Sequence, residues 1–326
     1  MRAVVVKTPG GLDELALAEL PAPRAGPGEV LIAVAFCGLN WADTMIRRGT
    51  YPHPYTYPVV PGVEISGTVT AVGAGVTKVK PGDRVAAFHE KGGGYAEIFR
   101  TIEDWTIPIP DMLTLEDAAS FPVQALTAWH MLHTVGRVKP DDFVLVHAIG
   151  GGVGLWCTQL AVRAGAKVIG TVGTPGKERK PTDFGAARVV LNGAEDFVAV
   201  AVEMTGGRGV ALAIDSLGAN TLDRTFDAVR KLGHIISIGE AEGLPYRNIR
   251  ERILPRSQTF TRFHLGHVDP LSTEWRAGLA DVMGGLVDGT LRAPIERIYP
   301  LEDARAMQAH IESRRLSGKL LLRVGG

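Results

Sequence analysis

The stretch FVLVHAIGGGVG at residues 143–154 decides the fold. The apolar run from Phe143 to Val146 predicts a buried strand, and the residues from Gly152 to Ala164 predict a helix. A glycine-rich turn that joins a strand to a helix is typical of a dinucleotide-binding unit, because the free N–H groups of the helix bind a pyrophosphate. Gly151 and Gly154 occupy the second and third glycine positions of that pattern, and Ile149 occupies the first. The alternative is a tight turn with a purely structural role.

The residues that follow alternate between apolar strands and helices. Such alternation predicts a doubly wound parallel sheet with helices on both faces, an α/β fold of the Rossmann type. The predicted strands after the turn are 167–172, 189–191, 210–214 and 234–238, and a helix is predicted at 222–229.

The first 110 or so residues read differently, as short strands separated by glycine and proline. This spacing predicts a small, mainly antiparallel β domain. A helix at 301–313 and a strand at 319–324 are too little for a third domain, so we expect them to rejoin the first one. We therefore predict a discontinuous domain of residues 1–122 and 261–326, and a nucleotide-binding domain of residues 123–260.

The composition excludes several classes of protein. The 326 residues include 35 Lys+Arg and 35 Asp+Glu, so the formal net charge is zero and a sequence-independent nucleic-acid binder is disfavoured. Two distant cysteines, Cys37 and Cys157, predict neither a disulfide framework nor a cysteine zinc cluster, and indicate a reducing compartment. The apolar run within the opening stretch MRAVVVK, residues 1–7, is too short for a signal peptide, and no membrane span is expected. The expected location is the cytoplasm.

The end of the second predicted strand selects the nucleotide. NAD-binding domains place an acid there for the ribose hydroxyls, whereas this chain has the uncharged run 170–174 followed by Lys177, Arg179 and Lys180. Cations without an acid favour a 2′-phosphate, so the predicted cofactor is NADP(H), with Lys177 as its main ligand. The alternative, for Arg179 above all, is a solvated surface charge.

At this point four motifs resemble the medium-chain dehydrogenase/reductase superfamily, in its zinc-free quinone oxidoreductase (zeta-crystallin-like) branch. The resemblance covers nearly the whole chain. It implies a GroES-like domain for the mainly antiparallel part, a Rossmann domain and a homodimer. The motifs are CGLNWADT at 37–44, PGVE at 61–64, VKPGDRV at 79–85 and HAIGGGVG at 147–154.

The resemblance also bears on zinc. Zinc-dependent relatives have a cysteine at the position of Asn40 and a histidine at the position of Val63, and neither side chain here replaces those ligands. We therefore expect no metal site. Without a Lewis acid to polarise an alcohol, hydride addition to a quinone or an activated enone, both small molecules, is the expected chemistry.

Further site residues follow from the resemblance. It implies that Asn40 orients a carboxamide or substrate carbonyl, and that Tyr51 donates a proton or lines the pocket. Asp43 holds backbone or cofactor hydroxyls, or else caps a turn. Residues implied to contact the cofactor are Thr127, Ala148, Gly150, Gly151, Gly152, Val153, Gly173, Thr174, Lys177, Asn192, Gly239 and Lys319.

Two features depart from the family pattern. Asn192 and Gly193 stand where a tyrosine is common near the 2′-phosphate. Pro181 is expected to interrupt the helix after Lys177, because proline lacks an N–H and clashes with the preceding turn. Both departures leave room for an altered phosphate contact.

Three functions remain open from the sequence. The first is an NADPH-dependent reductase of quinones or related electrophilic carbonyl compounds. The second is an enoyl or alkenal double-bond reductase, which needs a proton donor to the α-carbon. The third is a catalytically silent, cofactor-binding protein of the crystallin kind.

His264 and His267 are interpreted as loop or pocket lining, and Cys157 as packing.

Overall fold

The computed structural model describes residues 1–53, 55–244 and 246–325. The chain divides into two compact units, the first formed by Met1–Gln124 with Asp269–Gly326 and the second by Ala125–Val268. The domain boundaries predicted at residues 122 and 260 stay a prediction. The boundary at 260 falls inside the strand Thr259–Arg262.

The strands and helices follow the order in the chain. The strands are β1 Arg2–Val6, β2 Leu15–Glu19, β3 Glu29–Gly38, β4 Glu64–Val72, β5 Arg84–Phe88, β6 Ile98–Ile102, β7 Thr106–Pro108, β8 Phe143–Val146, β9 Lys167–Val172, β10 Arg188–Leu191, β11 Val210–Asp215, β12 Val229–Ser237, β13 Thr259–Arg262, β14 Ile295–Pro300 and β15 Lys319–Arg323. The α-helices are α1 Trp41–Arg48, α2 Leu115–Ala118, α3 Gln124–Trp129, α4 Gly152–Arg163, α5 Arg179–Asp183, α6 Phe197–Met204, α7 Ala219–Ala228, α8 Ile249–Ile253, α9 Thr273–Asp288 and α10 Ala304–Glu312.

The second unit contains a parallel sheet in the order β10-β9-β8-β11-β12-β13. Its central strands are buried on both faces, because residues such as Leu145, Ile169 and Ala213 have no exposed surface. The predicted doubly wound sheet is confirmed. The strand order reverses between β8 and β11, and sheets of this kind bind ligands beyond the carboxyl ends of the strands at that point.

The first unit contains a mixed sheet in the order β14-β15-β3-β4-β5-β7, with β6 also paired to β3. The pairs β3–β4, β4–β5, β5–β7 and β15–β3 are antiparallel, and β14–β15 is parallel. The predicted mainly antiparallel β domain is confirmed. Because β15 pairs with β3, the C-terminal strand belongs to the same sheet as the N-terminal strands.

Pro181 does not interrupt a helix, so that expectation is wrong. The helix α5 begins only at Arg179, and Pro181 is therefore its third residue. Backbone N–H groups in the first turn have no intrahelical acceptor, so proline costs nothing there. The buried Pro181 ring instead packs inside the unit.

Across residues 1–53, 55–244 and 246–325, every helix is too short or too polar to cross a lipid bilayer.

Candidate functional site

The glycine turn of the second unit leads from β8 into α4. Gly151 is the N-cap residue of α4, and its N–H donates to Ala148 O at 2.9 Å. Ala148 closes the turn with φ of +50°, a left-handed conformation that non-glycine residues rarely adopt. The turn therefore presents backbone N–H groups at a helix N-terminus, which is a site for anions.

The glycines of the turn have different roles, as the space around each one shows. A β-carbon at Gly154 would lie 2.6 Å from both Ile149 Cα and Ile149 O, so Gly154 allows α4 to pack on the turn. A β-carbon at Gly151 would contact only Ala148 O, at 3.3 Å, among the described residues. The backbone at Gly151 is therefore open to a ligand, as a pyrophosphate requires.

Ile149 replaces the first glycine of the usual pattern, and the neighbouring strand adapts to it. Ile149 is fully buried, and its N–H donates to Thr171 O at 3.0 Å. A β-carbon at Gly170 in β9 would lie 2.2 Å from Ile149 Cδ1. The isoleucine side chain thus fills the space that Gly170 leaves, so the modified pattern still gives a closed turn.

Lys177 lies along the glycine turn. A β-carbon at Gly150 would lie 3.3 Å from Lys177 Cε and 3.4 Å from Lys177 Cβ. Arg179 has a different environment, because its side chain is 90% exposed and its Nε lies 3.8 Å from Asp183 Oδ2 on the same helix. The two cations are close in sequence, yet Lys177 alone lies against the turn.

Three other predicted cofactor residues, Gly173, Asn192 and Gly239, follow the ends of β9, β10 and β12. A β-carbon at Gly173 would have no neighbour within 4 Å among the described residues. The N–H of Asn192 donates to Val172 O at 2.9 Å, which holds Asn192 beside the end of β9. A β-carbon at Gly239 would lie 2.9 Å from Ser216 O, after β11. Thr127 lies in α3 and is 8% exposed.

Two buried titratable residues follow β8 and end β11, where the strand order reverses. His147 Nδ1 is 3.0 Å from Thr171 Oγ1, and burial lowers the pKa of His147 to about 3. Asp215 accepts backbone N–H bonds from Leu217 and Gly218, while burial raises its pKa to about 6. The hydrogen bonds of His147 and Asp215 hold the segments at the ends of these strands in place.

In the first unit, Asn40 is part of a buried polar network. Its Nδ2 donates to Glu64 Oε1 at 2.7 Å, and its Oδ1 accepts from Gln124 Nε2 at 3.1 Å and from Lys319 Nζ at 3.2 Å. Asn40 is 5% exposed, Gln124 7%, and Glu64 and Lys319 are fully buried. We call these four residues the Asn40 network.

Lys319 and Glu64 form the charged centre of the Asn40 network. The Lys319 ammonium donates to Leu39 O at 2.9 Å, to Asn40 Oδ1 and to Glu64 Oε1. A lysine has three donors, so all of them are satisfied by protein acceptors. Glu64 Oε2 accepts the N–H of Val123 at 2.7 Å. This geometry does not support the prediction that Lys319 binds the cofactor.

Asp43 has the geometry of a capping residue. Its Oδ2 accepts the N–H of Asn40 at 2.8 Å, and its Oδ1 accepts the N–H of Gly62 at 3.1 Å. Burial raises the pKa of this fully buried carboxyl to about 7. Of the two roles proposed from the sequence, the geometry favours turn capping.

Tyr51 belongs to an aromatic group in the loop after α1. Its ring centroid lies 5.9 Å from that of Tyr55, edge to face, and 5.7 Å from that of His53. The Tyr55 hydroxyl donates to Glu90 O. The loop that carries Tyr51 includes Pro54, which lies outside the described residues.

The two positions at which zinc-dependent relatives have ligands are both described. Asn40 is engaged in the network, and Val63 is a core residue with 6% exposure. Among the residues that the structure describes, no group of three His, Cys, Asp or Glu is placed to hold a metal ion.

Sequence reasoning did not single out Gln124 or assign a role to Glu64. Glu64 lies in the PGVE motif, which carries part of the family resemblance but indicates no partner for this carboxylate. Gln124 carries no motif signal. Its place at the start of α3 brings its amide to Asn40, 84 residues earlier in the chain.

The fold combines a doubly wound parallel sheet with a mainly antiparallel β unit, and comparison with known proteins specifies its class. Residues 26–111 match the family model for the alcohol dehydrogenase GroES-like domain. Residues 152–283 match the model described as zinc-binding dehydrogenase.

Individual relatives resemble the chain over nearly its whole length. Quinone oxidoreductase 1 of Escherichia coli (strain K12) is 32% identical over 317 residues, 96% of each chain. A 2-haloacrylate reductase of a Burkholderia species is 32% identical over 327 residues, 98% of each chain. The crystal structure of Escherichia coli quinone oxidoreductase complexed with NADPH has a TM-score of 0.94, with 31% identity over 99% of this chain and 100% of that one.

The chain therefore belongs to the medium-chain dehydrogenase/reductase superfamily, in its quinone oxidoreductase branch. The resemblance predicted from the four motifs is confirmed.

Proposed function

We propose that this protein is a zinc-independent oxidoreductase that uses NADPH to reduce a quinone or a related electrophilic carbonyl acceptor. The observation that carries the proposal is the Asn40 network, in which an amide and a lysine–glutamate pair surround the position of a zinc-ligating cysteine in related enzymes. Amide and ammonium groups are not zinc ligands, and the carboxylate of the network, Glu64, is paired with Lys319, so we expect an acceptor that is electrophilic without a metal.

The glycine turn supports the cofactor part of the proposal. The open backbone at Gly151 fits the pyrophosphate, and the helix N-terminus stabilises its charge. Lys177, lying along Gly150, is the proposed ligand of the 2′-phosphate. NADPH is the nucleotide in the solved Escherichia coli relative, which adds to this argument.

The chemistry at Asn40 fits a carbonyl acceptor. NADPH, when bound, supplies a hydride to an electrophilic carbon. Asn40 Nδ2 also donates to Gly38 O, at a long 3.5 Å, and this weakly held N–H is the proposed donor to a carbonyl oxygen. Tyr51 is the proposed proton donor or pocket wall.

Cofactor choice can be tested by binding alone. We expect wild type to bind NADPH about tenfold to a hundredfold more tightly than NADH, since a charge-assisted lysine–phosphate bond contributes about 1.5–3 kcal/mol. Lys177→Ala should remove most of the preference, while the exposed Arg179→Ala serves as the matched control and should retain it. Equal binding of NADH and NADPH by wild type at one ionic strength would contradict the proposal.

A second candidate function is reduction of an activated carbon–carbon double bond. It is favoured by the similarity to the Burkholderia 2-haloacrylate reductase over 98% of both chains. NADPH turnover with a panel of quinones, set beside enones, 2-haloacrylates and acyl-CoA substrates, separates the two candidates. Turnover of the alkenes alone would replace the first candidate by the second, and no turnover with any acceptor would favour a catalytically silent protein.

We also propose a cytoplasmic homodimer that acts on small molecules. The outer edge of β13 is unpaired within the described part of the chain, and an open sheet edge can pair with a second copy. Buried free Cys37 and Cys157 suit a reducing compartment. Light scattering on the purified protein tests the dimer.

A further inference from the structure

Resting on the proposed function, we propose that Gln124 is a cofactor-binding residue whose Oε1 atom accepts a hydrogen bond from the nicotinamide carboxamide. The inference starts from Oε1 itself. This atom is buried and has no hydrogen-bond partner among the described residues, on a side chain that is 7% exposed. Buried acceptors are normally paired, so such an atom needs an explanation.

Lys319 fixes the orientation of Asn40. An ammonium group has donors only, so the Asn40 atom that lies 3.2 Å from Lys319 Nζ must be the amide oxygen. The amide nitrogen then faces Glu64 Oε1 at 2.7 Å, where it finds an acceptor. Both ends of the Asn40 amide are thus determined by the charges beside them.

Asn40 in turn fixes the orientation of Gln124. The Gln124 atom near Asn40 Oδ1 (3.1 Å) and Leu39 O (3.4 Å) faces two oxygens, so it must be the nitrogen. The opposite orientation would place an oxygen against two oxygens. Oε1 is therefore held as an acceptor in a place where the described protein offers it no donor.

The missing partner must be a hydrogen-bond donor. This requirement limits which chemical group of a ligand can lie beside Gln124 Oε1. Quinones and enones offer carbonyl oxygens, which only accept. The carboxamide of nicotinamide has two N–H donors on a planar group. The ribose hydroxyls of the cofactor can also donate, and we assign the planar carboxamide as the partner of Gln124 Oε1; cofactor analogues that differ only at the carboxamide separate the two donors.

Calorimetric binding of oxidised cofactors tests the proposal without turnover. The ligands are NADP+, its thionicotinamide analogue, which keeps the NH2 group, and its 3-acetylpyridine analogue, which has a methyl group there. We expect wild type to bind the acetylpyridine analogue about tenfold more weakly than the other two, the effect of leaving one buried acceptor unpaired. Gln124→Met should bind all three ligands within about twofold of one another.

The chain offers a matched control in Gln258. This glutamine is 5% exposed, its amide nitrogen donates to Phe226 O and Val229 O, and its Oε1 also has no partner among the described residues. Gln258→Met removes the same group outside the Asn40 network. The Gln258→Met protein should still bind the acetylpyridine analogue about tenfold more weakly than the other two ligands, as wild type does.

Several results would overturn the proposal. One is a wild type that binds all three ligands equally, as expected if the donor were a water or a quinol hydroxyl. Another is a Gln124→Met protein that keeps the discrimination or weakens all three ligands alike. If Gln124→Met fails to fold, the affinities of wild type for the three ligands still test whether the carboxamide NH2 group is recognised. A wild type that binds none of them refutes the proposed function itself.

Discussion

Replacing His147 by asparagine should remove one loss of stability that the wild type undergoes as the pH falls from 8 to 5. In the fold, Thr225 Oγ1 donates to Thr221 O at 2.7 Å, so it must accept from His147 Nε2 at 2.9 Å. The proton of the neutral ring is therefore on Nε2, and Nδ1 accepts from Thr171 Oγ1. This arrangement stabilises the neutral imidazole.

The size of the effect follows from the two pKa values of His147. Burial lowers its pKa from 6.5 to about 3 in the folded protein. The unfolded chain therefore binds more protons below pH 6.5, so the contribution of the neutral ring is complete above pH 6.5 and is lost as the pH falls. The loss is about 1.4 kcal/mol at pH 5.5 and about 2 kcal/mol at pH 5.

The assay is equilibrium urea unfolding of the cofactor-free wild type and His147→Asn at several pH values. Fluorescence follows the transition, because Trp156 in α4 is fully buried in the same unit. Burial raises the pKa values of Asp43 and Asp215, so these carboxyls make the folded state more stable as the pH falls, opposite to His147. Their contribution is the same in wild type and in His147→Asn, so it cancels in the comparison. We expect the stability advantage of wild type at pH 8 to shrink by about 2 kcal/mol at pH 5. An advantage that stays constant would refute the assignment of a neutral His147.

Three further predictions concern the turn, the network and metal. Gly151→Val should weaken NADPH binding in a fluorescence titration and keep the fold, whereas Gly154→Val should lower the melting temperature, because its β-carbon would lie 2.6 Å from Ile149; the reverse pattern would exchange the two roles. Lys319→Met should reduce the free energy of urea unfolding by about 3–5 kcal/mol, because it leaves the Glu64 carboxylate buried without its partner. The Lys319→Met/Glu64→Gln double variant should regain part of this loss. No recovery would mean that the two residues are not coupled. Exhaustive chelation should leave turnover unchanged; activity lost on chelation and restored by zinc would contradict the zinc-independent proposal.

The glycine turn could be predicted from the sequence because its parts are contiguous. Strand, turn and helix follow one another from Phe143 to Arg163, and each leaves a local signal in apolar runs and glycines. The alternation that continues to residue 238 likewise predicted the parallel sheet. Local patterns of this kind need no knowledge of distant partners.

The Asn40 network could not be predicted in the same way, since its members are distant in sequence. Asn40 meets Glu64, Gln124 and Lys319 across 24, 84 and 279 residues. Only the pairing of β15 with β3 brings Lys319 beside Leu39 and Asn40. Family resemblance gave Lys319 a cofactor role, whereas its partners in the fold are those of a positioning residue.

The cost of burying Lys319 and Glu64 suggests what the pair is for. Removing two charges from water is expensive, and a buried ion pair is therefore weak evidence of stability. The ion pair has a more direct effect on the orientation of neighbouring amide groups, because an ammonium can only donate hydrogen bonds and a carboxylate can only accept them. Together they fix the amide of Asn40, and Asn40 fixes that of Gln124. We infer that this charged pair is retained because it determines which amide atoms are offered to a ligand. Lys319→Gln, whose amide could face Asn40 with either atom, should therefore lose the discrimination between NADP+ and its acetylpyridine analogue while still binding both; unchanged discrimination would show that Asn40 and Gln124 are oriented without the lysine.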